Sequence, residues 1–109
     1  NAVKVWNNTV TNTKQEVTDN PNVHIYSIAL LNATAAEAYL QVFDLDADSV
    51  TVGTTAPTFV IGNGTEGAFQ CTFNPPIQFT TGFTIASATA RGGNTGAVQE
   101  ITITYTDEA

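Results

Sequence analysis

The sequence predicts an all-β domain, an antiparallel two-sheet β-sandwich of about eight strands, and three observations predict it. β-Branched and aromatic residues gather in short runs. Turn residues interrupt those runs about every 8–12 positions, the spacing of a sandwich or barrel. No stretch carries a helical period except Thr34 to Ala38. A length of 109 residues suits one domain with one core.

The strands follow in order from this pattern. They are expected near Val3 to Trp6, Val10 to Val17, Val23 to Leu31, Tyr39 to Leu45, Thr58 to Ile61, Ala68 to Phe73, Ile77 to Ala88 with a bend at Gly82, and Gln99 to Tyr105. The breaks between them are rich in Asn, Asp, Gly and Pro: Asp19 to Asn22, Asn32 to Glu37, Asp46 to Pro57, Gly62 to Gly64, Asn74 to Pro76, and Gly92 to Asn94. Residues 1–22 are expected to form an N-terminal segment or arm, and residues 23–109 the sandwich.

Two strands alternate cleanly and should each have one wet and one buried face. Phe69, Cys71 and Phe73 oppose Gln70 and Thr72, while Ile101, Ile103 and Tyr105 oppose Glu100, Thr102 and Thr104. Two others carry apolar residues on both sides. Val23, Ile25, Ala29 and Leu31 fall on one side, with Tyr26, Ile28 and Leu30 on the other; Tyr39, Phe43 and Leu45 are matched by Leu40 and Val42. A sandwich needs only one apolar side per sheet. The second face is therefore open to a neighbouring subunit, with Trp6, Tyr26, Ile28, Leu30, Leu40 and Val42 as interface candidates, or to the segment Val3 to Val17 folded over it within one chain.

Ten carboxylates against Lys4, Lys14 and Arg91 give a net charge of −7, leaving nothing to neutralise a phosphate backbone, so no nucleic-acid partner is expected. No apolar run approaches the roughly 18 residues of a membrane span, and the chain does not start with a basic end followed by an apolar stretch, so no membrane partner is expected either. Charged residues make up only 12%, while Thr numbers 19 and Asn 10. The polar surface is thus mostly neutral and short-chained, which lowers the entropy lost when subunits pack.

Catalytic and metal-binding patterns do not assemble. Asp44, Asp46 and Asp48 start like a calcium loop, but Ser49 stands where the turn needs Gly and Thr55 where a bidentate Glu is needed, so they are weak metal candidates only. A lone His24 and a lone Cys71 give no zinc set and no disulfide, and nothing in the sequence places them together as a nucleophile and base. Cys71 is expected to be a small inert hydrophobe between Phe69 and Phe73. Glu37, Glu66, Glu100 and the Asp44 group could supply a glycosidase pair only across a cleft that a small sandwich scarcely offers. No enzyme activity and no cofactor are expected. Asn-x-Thr triplets at Asn7, Asn32 and Asn63 arise readily in so Asn- and Thr-rich a chain, and no glycan is assigned to them.

The ordered set Val23-His24-Ile25-Tyr26-Ser27-Ile28, Leu31-Asn32, Ala38 to Asp44, Val50 to Pro57, Phe73 to Phe79 and Thr81 to Ala90 resembles a group of small β-sandwich accessory virion proteins of tailed bacteriophages, of the capsid decoration type. The resemblance runs from about Val23 to Tyr105. It implies a jelly-roll-like domain located on the virion, with the major capsid protein of a phage shell as partner and a homo-oligomer, a trimer first, as its state. The Asp44 to Ser49 turn and the Asn-rich start match least well. A carbohydrate- or receptor-binding module of a phage fibre or secreted protein, using Trp6 or Tyr26, is the alternative reading.

Overall fold

Short β-branched runs separated by turns give strands that must pair at long range. The computed structural model describes residues 2–108, and in it eight strands form: β1 (Lys4–Val10), β2 (Gln15–Thr18), β3 (Asn22–Leu31), β4 (Ala38–Phe43), β5 (Phe59–Asn63), β6 (Ala68–Phe79), β7 (Phe83–Ala88) and β8 (Gln99–Glu108). They build two four-stranded sheets, ordered β1-β8-β3-β6 and β2-β7-β4-β5. The first strand pairs with the last, the second with the seventh, the third with the sixth and the fourth with the fifth, all antiparallel. A ribbon of paired strands rolled up in this way is a jelly roll.

The inner faces meet in one apolar core. β3 contributes Val23, Ile25, Ile28 and Leu30, β8 contributes Ile101, Ile103 and Tyr105, and Leu40, Val42, Phe83 and Ile85 come from the opposite sheet. Phe59, Phe79, Phe83 and Tyr105 form a chain of tilted and edge-to-face contacts, with ring centroids 6.1, 5.5 and 6.4 Å apart in turn. Each such pair is worth about 0.5–1.5 kcal/mol beyond the area it buries.

Four expectations are corrected. Within the segment expected as an arm, residues 1–22, β1 pairs with β8 over its whole length and β2 is an edge strand of the second sheet, so both are parts of the roll. The strand expected from Val10 to Val17 is interrupted, because Thr11 to Lys14 carries the chain from one sheet to the other. β6 continues through Asn74-Pro75-Pro76, where the Asn74–Pro75 peptide is cis. Proline is tolerated there since β6 lies at a sheet edge.

The fourth correction concerns the doubly apolar strands. In β3 the register shifts between Ile25 and Ser27, so Tyr26 is an extra residue. A β-bulge of this kind resets the alternation beyond it. Ile28 and Leu30 therefore face inward with Val23 and Ile25, while Ala29 and Leu31 face out. β4 does have two apolar faces, but neither a neighbouring subunit nor the Val3 to Val17 segment is needed to cover the second one. Phe43 and Ala86 pack there under Val50, with Leu45 and Val52 alongside, so the segment between β4 and β5 folds back over its own sheet.

Candidate functional site

The two outer faces of the roll differ. On the second sheet, Thr84, Ala86 and Ala88 of β7 are buried even though their registers place them on the outside with Phe43, Gln41 and Tyr39. The β4–β5 segment roofs them, and the β7–β8 loop joins it: Gln41 Nε2 donates to the Gly93 carbonyl at 2.9 Å, and a side chain at Gly53 would meet Asn94. Lys14 fastens the roof from the other side, its Nζ donating to the Val50 carbonyl at 2.6 Å.

Among the described residues the first sheet carries no such cover. Its registers set out rows across the outer face: Val5, Thr104, Ser27 and Thr72; Asn7, Thr102, Ala29 and Gln70; Thr9, Glu100, Leu31 and Ala68. Thr106, His24 and Gln78 extend it toward one end, where Glu108 pairs with Asn22. Glu100 is the single carboxylate within these rows, and it accepts the Thr9 hydroxyl at 2.6 Å. In a chain with net charge −7, this face is nearly free of charge.

Its relief comes from side-chain size. Ala29 and Ala68 leave an open groove of about 440 Å³, bounded by Leu31, Gln70, Thr102 and Glu100. Leu31 at its wall is 49% exposed. On β1, at the opposite edge of the sheet, Val5 is 67% exposed and the preceding Val3 59%. The face thus pairs a hollow with a projection, both apolar.

The interface candidates lie elsewhere. Ile28, Leu30, Leu40 and Val42 are core residues with no surface to give a partner. Trp6 faces inward opposite Ile103 and is half-buried against the core, and Tyr26 is half-buried at the bulge. Ala29 and Leu31 occupy the outward positions instead. A period-two reading misses this because nothing in the run Val23 to Leu31 marks where the extra residue falls.

The titratable groups are dispersed. Asp44 Oδ1 accepts the backbone N–H groups of Thr80, Thr81 and Gly82 at 3.1, 2.9 and 3.3 Å, fixing the turn between β6 and β7. That turn requires glycine, since a Cβ at Gly82 would sit 2.6 Å from the Leu45 carbonyl carbon. Asp48 is exposed on a 3₁₀ turn, Ala47–Ser49. Among the described residues no group of three or more His, Cys, Asp and Glu side chains is placed to hold a metal, so Asp44, Asp46 and Asp48 do not gather into a site.

His24 pairs with Thr106 and Gln78 on the outer face, whereas Cys71 pairs with Ile28 on the inner one, so the sheet separates them. Burial pushes the Cys71 thiol up from its ordinary value, away from the reactive thiolate. It is half-buried rather than enclosed, and Phe69 beside it is 48% exposed, because β6 is an edge strand that the opposite sheet covers only in part. Glu100 lines the groove of the first sheet, and Glu37, which accepts the Tyr39 hydroxyl at 2.9 Å, lines a smaller one of about 180 Å³. Neither groove is lined by a second carboxylate. Asn32 and Asn63 are buried with their amide nitrogens donating to backbone carbonyls, Asn32 to Ala36 and Gly64 and Asn63 to Gly67, which leaves no room for a glycan on either in the folded chain.

Compared with known proteins, the chain matches no family model and no curated sequence.

Proposed function

We propose that this chain is a structural subunit of a larger assembly, and that the assembly is the head of a tailed bacteriophage, which it decorates as a cement protein. The observation that carries the reading is the bare first-sheet face, Thr-rich and nearly free of charge, in a molecule whose other sheet is roofed by its own loops. A face kept clear of charge suits packing against protein, where an unpaired buried charge is costly. The resemblance supplies the phage head, the major capsid protein as partner and the virion as location. Jelly rolls also serve as lectins, so fold alone does not choose between coat and binding module.

A decoration protein works by adding buried contact at joints that the shell leaves weak. Purified heads lacking the protein test this. Added chain is expected to bind to saturation and to raise the temperature at which the shells open. Failure to bind any shell, together with specific binding on a glycan array, would sink the decoration reading in favour of a receptor-binding module.

A further inference from the structure

We infer that the open edge of β1 pairs with the same edge of a second copy of this chain, joining their two first sheets into one. The pairing lies along a strand edge, apart from the outer face on which the decoration reading rests, and stands or falls separately from it. Two side chains show where the backbone groups of β1 point. Asn8 Oδ1 accepts the Thr9 N–H at 2.9 Å, and Gln15 Nε2 donates to the Thr9 carbonyl at 2.7 Å. Thr9 therefore bonds away from β8, and in an antiparallel pair every second residue does the same. Asn7 and Val5 share that phase within the strand, and Val3 just before it. Among the described residues no side chain caps Val5 or Asn7 as Thr9 is capped.

Open edges are ordinarily guarded by shortness, bulges, prolines or lysines. Three edges of this molecule show such guards: β2 has four residues and a register shift, β5 has five residues, and β6 is interrupted by Pro75 and Pro76. β1 has seven residues, neither Pro nor Gly, and an unbroken register. Its one lysine is turned to Asp107, 2.7 Å away, so the edge presents no unpaired charge to another chain of net charge −7. Val5 and Val3 are the two most exposed large hydrophobics among the described residues.

These free groups match a copy of themselves. Val3, Val5 and Asn7 bond outward in a row, so a two-fold axis at Val5 sets Val5 against the partner's Val5 and Val3 against the partner's Asn7. Each facing pair exchanges N–H and C=O in both directions, about six hydrogen bonds in all. Thr9, already satisfied, falls beyond the end of that ladder. A second copy is the occupant these features favour, since the length of the free stretch, the residue that ends it and the valine at its middle all repeat in register under that one rotation. The contact is small, well under the roughly 1,200 Å² of a standard interface, so the association is weak. The pair replaces the trimer expected from the resemblance, because edge-to-edge pairing about a two-fold axis uses both edges and closes on itself.

Sedimentation equilibrium of the full chain from roughly 10 μM to 1 mM tests the pair, with the mass expected to rise from one chain to two. Trp6, the sole tryptophan and half-buried on β1, should shift its fluorescence to shorter wavelength over the same range. Val5→Pro removes the N–H that points to the partner and leaves the β8 ladder whole, so the folded variant should associate at least about tenfold more weakly. Gln70→Pro makes the same change at the opposite edge of the sheet and should leave the pairing as it was. In a Cys71→Ala background, Val5→Cys should be joined to its own copy by a short bis-maleimide, a readout that remains if Val5→Pro does not fold. A monomer at 1 mM, a trimer mass, undiminished pairing by folded Val5→Pro, loss of pairing in folded Gln70→Pro, or no Val5→Cys cross-link would each overturn the inference. A pair that binds no shell leaves it standing and removes the decoration reading, and a monomer that binds shells does the reverse.

Discussion

Asp107 ties the first strand to the last. Its side chain is only 4% exposed, lies 2.7 Å from Lys4 Nζ, and accepts the Thr18 hydroxyl at 2.6 Å and the Asn20 amide at 2.8 Å. The hydrogen bond from Lys4, then that from Thr18, hold its carboxyl down to about 2 from an ordinary 3.8, against the opposing effect of burial. A carboxyl depressed on folding stabilises the folded state fully above its unfolded pKa, and that contribution is lost as pH falls through the folded value. Allowing for the half-exposed Lys4 partner, it is worth about 1–2 kcal/mol. Asp107→Asn is therefore expected to lower stability by about that amount at pH 7, with the difference shrinking as pH falls toward 2 and vanishing below it, read by urea unfolding at each pH. Nothing in the sequence links Lys4 to Asp107, because their proximity exists only once β1 lies against β8. The Asp44 carboxylate was legible as an acidic turn but not as the acceptor for the β6–β7 turn, since its partners are backbone amides that look alike in any sequence.

Among the elements, β3 shows most plainly where the sequence pattern holds and where it stops. The alternation on either side of Tyr26 was legible, as were the strand count and most turn positions. The bulge was not, because an inserted residue leaves the composition of the run unchanged while inverting the phase of everything after it. The inverted phase predicts a contrast between neighbours: Ile28→Ala should cost about 2–5 kcal/mol, as for a core residue, while Leu31→Ala on the outer face should change stability by less than about 1 kcal/mol. Thermal unfolding of both variants checks it, and a large loss at Leu31 with none at Ile28 would restore the uninterrupted alternation. The roof over β4 did leave a trace in the sequence. Val50 and Val52 are apolar residues in a stretch read as loop, and Leu45 was read as the end of the preceding strand; their packing with Phe43 accounts for all three.

At the scale of the molecule, the sandwich class was legible because β-branched runs and turn spacing reflect two packed sheets, and the jelly-roll order came through the resemblance. The location of the neutral face was not, since low overall charge does not say on which side the few charges lie. The roll also sets how β1 and β8 run: β1 begins opposite the last part of β8, Lys4 opposite Tyr105, so the start of β1 and the finish of β8 lie at the same end of their ladder. Tension applied through these ends would open the β1–β8 ladder one hydrogen bond at a time, like a zipper, rather than straining all of them together. Force spectroscopy with handles at the two ends should find release of β1 at low force. Handles at Thr9 and Thr106, which pull the same two strands lengthwise past each other, should need markedly more, and equal forces would show that this ladder is not the first to yield. A chain built this way is weak as a tether and strong as a plate, so any load it carries in an assembly is better taken across its faces than through its ends.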